Sequence, residues 1–347
     1  MITNIVIRFL FHNKSEELNL LFRIYYLIAF LFTFTVLVSL IFGKSVYLQH
    51  NISDRQNFIY IPKIQENVQK INQNDFDKNK ILTSDHLLEK LDNRLFDIEH
   101  IKKSKKVPNI IIAKLPNDFK NIYSSSLKKQ LFIKVALPLI VKENENLILQ
   151  NLKIEKLNNK FDSIQRSDAL WLRKKMEEYK VSNNSISELI IKVDAVPVSI
   201  ALSQAAVESG WGTSRFASEG NALFGQYTFE TKRSLVPLSR DKGKDHNIRA
   251  FSSLLDAVRS YAHNLNTHKA YRKFRSMREG LRRKGYEITG GKLVGALTSY
   301  SERGHKYVRT IRLIMNVNRL KNLDKAKVQK DFIAMKPFQQ NDPKLMR

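Results

Sequence analysis

The sequence predicts an α+β fold, mainly helical with a small β-hairpin lobe, preceded by one N-terminal transmembrane helix. Three observations predict it. Ile24 to Phe42 is an apolar run with no charge and no Pro, and about 20 such residues span the hydrocarbon core of a bilayer. From Ser126 onward most segments repeat apolar residues at helical spacing. Only Gln226 to Phe229 and Ile248 to Phe251 alternate as strands do, with a polar, charged loop between them.

Composition bounds the partners. A chain of 347 residues holds one large domain or two ordinary ones. Lys and Arg (59) exceed Asp and Glu (33) by 26, which attracts polyanions: nucleic acid, anionic lipid or an acidic cell wall. No helix-turn-helix, zinc-finger or RNP pattern is present, so no nucleic-acid partner is expected. The absence of Cys excludes disulfides and thiolate metal sites. His263 and His268 are spaced so that two ligands do not stack on one helix face, and no metal is expected.

Taken in order, Arg8, Lys14 and Arg23 precede the apolar run, and Tyr25 and Tyr26 sit at interfacial depth. The positive-inside rule keeps residues 1–23 in the cytoplasm and exports the chain beyond the span at residues 24–42. Gly43-Lys44-Ser45 is a poor cleavage site, so the anchor stays attached. Residues 43–125 read as an extended or partly ordered linker with one short amphipathic helix over Asp85 to Asp97. The basic run Lys102 to Lys106 reads as the end of that linker.

The main domain covers residues 126–322, ahead of a charged, fraying tail at 323–347. Leu127, Leu131, Val135, Leu139, Leu147, Leu149 and Leu152 make an apolar stripe that Pro138 kinks or splits into two helices. Ser167 is placed to cap a helix to Tyr179 that buries Leu170, Leu172 and Met176. Ser185 with Glu188 is a capping box for Ile186 to Val193. Ser252 caps Leu254 to Leu265. Lys269 to Lys284 is dense in Lys and Arg, read as a solvated face or as attraction to wall carboxylates. Thr289 caps Gly291 to Ser299, and Lys306 to Leu320 closes the domain with Val308, Ile311, Ile314 and Met315 inward.

The most informative stretch is AVPVSIALSQAAVESGWG, Ala195 to Gly212. Pro197 fits a first helical turn, and Gly210 and Gly212 supply a stop, so the helix covers Val198 to Ser209. Its one acid, Glu208, stands in the last turn, where the helix dipole disfavours a carboxylate by about 0.3–1 kcal/mol. Trp211 lies just beyond it. Helix end and indole both disfavour ionisation and predict a raised pKa, which suits general-acid catalysis. The residues alone leave two readings, an exposed Glu at a frayed end or a protonated catalytic acid.

AxxxSGWGxSRFA followed by GNALFGQY resembles the family 73 glycoside hydrolases, N-acetylglucosaminidases that cut bacterial peptidoglycan. With LFIKVALPLIVKENENLIL and YAHNLNTHKAY, it is most similar to their Bax-type branch, over about Lys128 to Lys321. The resemblance implies a lysozyme-like domain with Glu208 as catalytic acid. It places Asn221, Leu223, Phe224 and Gly225 along a sugar groove, with Trp211, Phe224 and Tyr227 as contacts and Asn264 and Asn266 as orienting groups. In YSERGHKY, Tyr300 or Tyr307 is to face the acid, Tyr300 being preferred and Tyr307 assigned to substrate. The second carboxylate is sought at Glu230, then Asp245 and Asp241, with Glu302 an outside choice.

The expected reaction is hydrolysis of the β-1,4 bond after N-acetylglucosamine in peptidoglycan glycan strands, without a cofactor. The catalytic domain would be periplasmic, held at the bacterial inner membrane by residues 24–42. The alternatives are a catalytically impaired wall-binding protein and an amidase acting on the peptide stem.

Overall fold

The computed structural model describes residues 83–91, 96–159, 164–237 and 247–329, all within the unit Asn79–Arg347. The expected membrane span at residues 24–42, together with Asp241, Asp245 and residues 330–347, lies outside them. No helix among the described residues is long and apolar enough to cross a membrane.

The fold starts earlier than the sequence suggests. Helices α1 (Ser84–Leu91) and α2 (Ile98–Ser104) are followed by β1 (Lys106–Val107). Asp97 caps α2, accepting from the Glu99 and His100 amides at 3.2 and 3.1 Å. Leu87, Leu91, Phe96, Ile101, Val107, Leu115 and Phe119 are buried in the main core. The described residues of 84–124 are therefore part of the domain and not a linker. The basic run is no linker end either: Lys102 lies in α2, 2.7 Å from Glu99, and Lys105 closes that helix in the left-handed region.

Helix α3 (Ser125–Asn158) runs 34 residues unbroken through Pro138, neither ending nor splitting there. An interior Pro costs about 3 kcal/mol, and packing against three later helices offsets that cost. Leu127 and Leu149 fall outside its buried stripe. Helix α4 (Arg166–Glu178) starts after Gln165 without a side-chain cap, and Leu170 faces solvent. Helix α5 (Ile186–Lys192) has the expected cap, with the Glu188 amide donating to Ser185 Oγ at 3.1 Å.

Helix α6 (Val198–Ser209) is the axis of the domain, and every residue from Val198 to Ala206 is buried. A helix apolar all round belongs in a core, and this one packs against α3 and against the C-terminal elements. Pro197 precedes it as the capping residue. One of its first amides is served from far along the chain: Asp324 accepts from Ser199 N at 2.8 Å, and also from Ser199 Oγ at 3.0 Å and Gly290 N at 2.9 Å. That bond set, the buried Leu323 and strand β5 (Lys327–Val328), parallel to β1, tie down residues expected to fray.

After α7 (Arg215–Gly220), strands β2 (Tyr227–Thr228), β3 (Ser234–Leu235) and β4 (Asn247–Arg249) form an antiparallel lobe in the order β2-β4-β3. Tyr227 pairs with Ile248 and Ser234 with Arg249. β3 lies within the expected loop. Helix α8 (Leu254–Thr267) is capped by Ser253, one residue later than expected.

Helix α9 (Arg272–Arg283) is not a wholly solvated basic face. Arg278 is buried, with Nε 3.2 Å from the buried carboxylate of Asp194. The span expected as one helix from Gly291 is a short α10 (Gly290–Leu293) and two 3-10 turns, Val294–Ala296 and Thr298–Tyr300. Helix α11 (His305–Val317) closes the core through Val308, Ile311 and Met315.

Candidate active site

The SGWG motif is a turn that ends α6 and turns the chain sharply. Ser209 Oγ donates to the Ala205 carbonyl at 2.6 Å and accepts from the Gly212 amide at 2.8 Å. Gly210, Trp211 and Gly212 all have positive φ (58°, 59° and 82°), a region that costs an L-residue roughly 1–2 kcal/mol. A Cβ on Gly212 would lie 2.9 Å from Leu115 and 3.0 Å from Phe132, so any side chain at position 212 is both strained and crowded. The Trp211 indole lies edge-on to Phe132, ring centroids 5.8 Å apart, with Lys129 Nζ 5.4 Å from its centroid.

Glu208, half-buried in the last turn of α6, meets a polar chain drawn from three helices. Tyr307 of α11 donates its hydroxyl proton to Glu208 Oε1 at 2.7 Å. Gln204, one turn back on α6, donates Nε2 to the Tyr307 oxygen at 2.9 Å. Tyr261 of α8 donates to Gln204 Oε1 at 2.7 Å. The other carboxylate oxygen faces backbone: a Cβ placed on Gly225 would stand 3.3 Å from Oε2. Burial pushes the Glu208 carboxyl above its usual range, while the Tyr307 hydrogen bond and the Arg303 charge pull it down without cancelling the rise. The expected direction is present; its cause is burial, not the helix end or the indole.

The tyrosine that reaches Glu208 is Tyr307, not Tyr300. Tyr300 stacks on Tyr307 (centroids 5.6 Å, planes 8° apart) and donates to the Phe224 carbonyl at 3.1 Å. Phe224 is buried with its ring stacked on Tyr261 at 3.9 Å, so that face is taken by protein. Asn221 ends α7 at φ 52°, and its amide donates to the Phe251 carbonyl at 3.0 Å. Tyr227 stands on the exposed side of the lobe, 68% accessible. Asn264 hydrogen-bonds Tyr271 through their side chains.

Asn266 offers no face to a sugar. It is fully buried, donating to the Asp194 carbonyl and accepting from Arg278, each at 2.8 Å. Glu230 lines a separate cavity of about 380 Å³ with Arg233, Arg249, Ser252 and Asp256, a lining that does not include Glu208. His263 bonds the Glu178 carbonyl and His268 caps the 3-10 turn Lys269–Tyr271.

Sequence reasoning missed Gln204 and the pairing role of Tyr261. A signal existed for the first, since residues four apart on a helix share a face and Gln204 stands four before Glu208.

A family model described as Glucosaminidase, mannosyl-glycoprotein endo-beta-N-acetylglucosaminidase, matches residues 184–320, which hold the whole polar chain. Protein bax of Escherichia coli (strain K12) is 31% identical over 198 residues, covering 55% of this chain and 69% of that protein. Among solved structures, the catalytic domain of the autolysin Auto from Listeria monocytogenes aligns with TM-score 0.30 and 18% identity, over 48% of this chain and 96% of that one. The chain belongs to the glucosaminidase family of glycoside hydrolases.

Proposed function

We propose that the protein hydrolyses the β-1,4 bond after N-acetylglucosamine in peptidoglycan glycan strands, with Glu208 as general acid. One observation carries the reading: a carboxyl with a burial-raised pKa has one oxygen held by Tyr307 and the other turned to the open backbone of Gly225. An acid that keeps its proton nearer neutrality can protonate the leaving oxygen. Membership of the glucosaminidase family supplies the substrate class. The complementary role belongs either to the substrate's own 2-acetamido carbonyl or to a carboxylate of the β-lobe, of which Glu230 is the described one. No cofactor enters this chemistry. The anchor at residues 24–42 would hold the domain on the periplasmic side of the inner membrane.

Digestion of purified sacculi with wild type and Glu208→Gln tests the reading. The wild type is expected to release fragments with reducing N-acetylglucosamine ends, seen by mass spectrometry, and the variant to release at least 10²-fold fewer. Free stem peptides, or equal activity in the variant, refute it. Glu230→Gln run beside them tests the second group: lost activity selects Glu230, and retained activity rules it out, leaving the acetamido carbonyl or another carboxylate.

A further inference from the structure

Gln204 and Tyr261 do not touch the reacting oxygen, yet both are buried and bonded in series with Glu208. A tyrosine hydroxyl has one proton, and a glutamine amide has a donor end and an acceptor end. These two facts give the chain a direction. Tyr261 is fully buried, its ring stacked on Phe224, and its proton goes to Gln204 Oε1. The amide nitrogen of Gln204 therefore points at the Tyr307 oxygen, and Tyr307 has its single proton left for Glu208 Oε1.

We infer that Tyr261 and Gln204 are positioning residues that fix the Tyr307 hydroxyl towards Glu208, so that Oε1 is always an acceptor and the transferable proton rides on Oε2, facing Gly225. The inference rests on Glu208 being the catalytic acid. The reversed chain would run from Glu208 through Tyr307 to Gln204, with the amide donating to Tyr261. It deprives the buried Tyr261 proton of its acceptor, a loss that lowers its population roughly ten-fold or more. Glu208 is faced by Tyr307 from α11, Arg303 before it, Tyr261 from α8, and Tyr271 and Tyr300 from their 3-10 turns. Burial pushes all four tyrosines up, so among these groups Glu208 is the one that loses its proton first as pH rises.

The test uses the full-length protein and pH profiles of kcat/KM on sacculi for wild type, Tyr261→Phe, Tyr307→Phe and the double variant. Tyr261→Phe keeps the ring stack and removes only the proton that orients Gln204. In both single variants the alkaline limb is expected to move to higher pH, because ionised Glu208 loses its fixed donor. The double variant should move no further than Tyr307→Phe. An unmoved limb in Tyr261→Phe, or shifts that add in the double variant, overturn the inference.

A second readout needs no turnover: thermal melts against pH, each background compared with its own Glu208→Gln counterpart. A carboxyl whose folded pKa is raised contributes stability that is full below the unfolded pKa and is lost as pH rises through the folded one. That falling step should lie at higher pH in the Tyr261→Phe background, and a step at the wild-type position overturns the inference. If sacculi are cleaved by Glu208→Gln, the acid assignment fails, while the melts still report whether Tyr261 directs the hydroxyl.

Discussion

Replacing Gly225 by Ala separates the chemistry of the site from the stability of the fold. Gly225 has φ +59°, and its missing Cβ would stand 3.3 Å from Glu208 Oε2 and 3.9 Å from Glu208 Cβ. The left-handed conformation costs an alanine roughly 1–2 kcal/mol. In a domain of this size each kcal/mol moves Tm by about 2–4 °C, so the variant should melt about 2–8 °C lower. It remains folded at 25 °C, because native domains hold about 5–15 kcal/mol. Activity should suffer far more. Under the proposed mechanism a leaving oxygen must come within about 2.6–3.2 Å of Glu208 Oε2, where the new methyl would stand. A misplacement of about 1 Å costs on the order of 10²-fold, so kcat/KM on sacculi at 25 °C should fall by about that factor. Calorimetry and release of reducing ends measure the two effects on one preparation. A variant within two-fold of wild-type activity would show that the substrate does not approach Oε2 past Gly225.

Two further predictions concern the scaffold. Gly212→Ala combines left-handed strain with a Cβ driven against Leu115, Phe132 and Phe119, and urea unfolding should show a loss of about 2–5 kcal/mol. Asp194→Ala leaves Arg278 buried without its carboxylate, a change expected to cost about 3–5 kcal/mol at pH 7. Burial would raise the Asp194 carboxyl, but Arg278 and Arg282 overcome it and hold it below the usual range. Its stabilisation is present above the unfolded pKa and is lost as pH falls through the folded one, so the gap between wild type and variant should shrink in melts taken below about pH 4.

The legible parts of the fold rest on local signals. The bounds of α6, the Ser185 cap and the inward face of α11 each depend on residues within a turn or two of one another. The illegible parts depend on partners far along the chain. The described residues of 84–124 hold short elements whose apolar side chains find cover against α3, the C-terminal turns and the turn at Gly212. Arg278 reads as one more surface cation because its partner, Asp194, is 84 residues away. Tyr300 is the better choice over Tyr307 only if one helix runs up to Ser299. The observed 3-10 turns set a different register and bring Tyr307, in the first turn of α11, to the carboxylate.

The burial of α6 explains why the site is built on that helix. A helix covered on every side cannot rotate without exposing apolar surface, so Gln204 and Glu208 keep one orientation towards α8 and α11. Polar groups in that position are costly unless paired, and their partners arrive on separate elements: Tyr261 on α8, Tyr307 on α11, and Asp324 at the helix's other end. Glu208 therefore owes its burial and its hydroxyl donor in part to the docked α11. Moving α11 away from the core would remove the Tyr307 donor and part of the burial that raises the Glu208 carboxyl. Under the proposed function, a chain in which α11 has not docked therefore carries no primed acid.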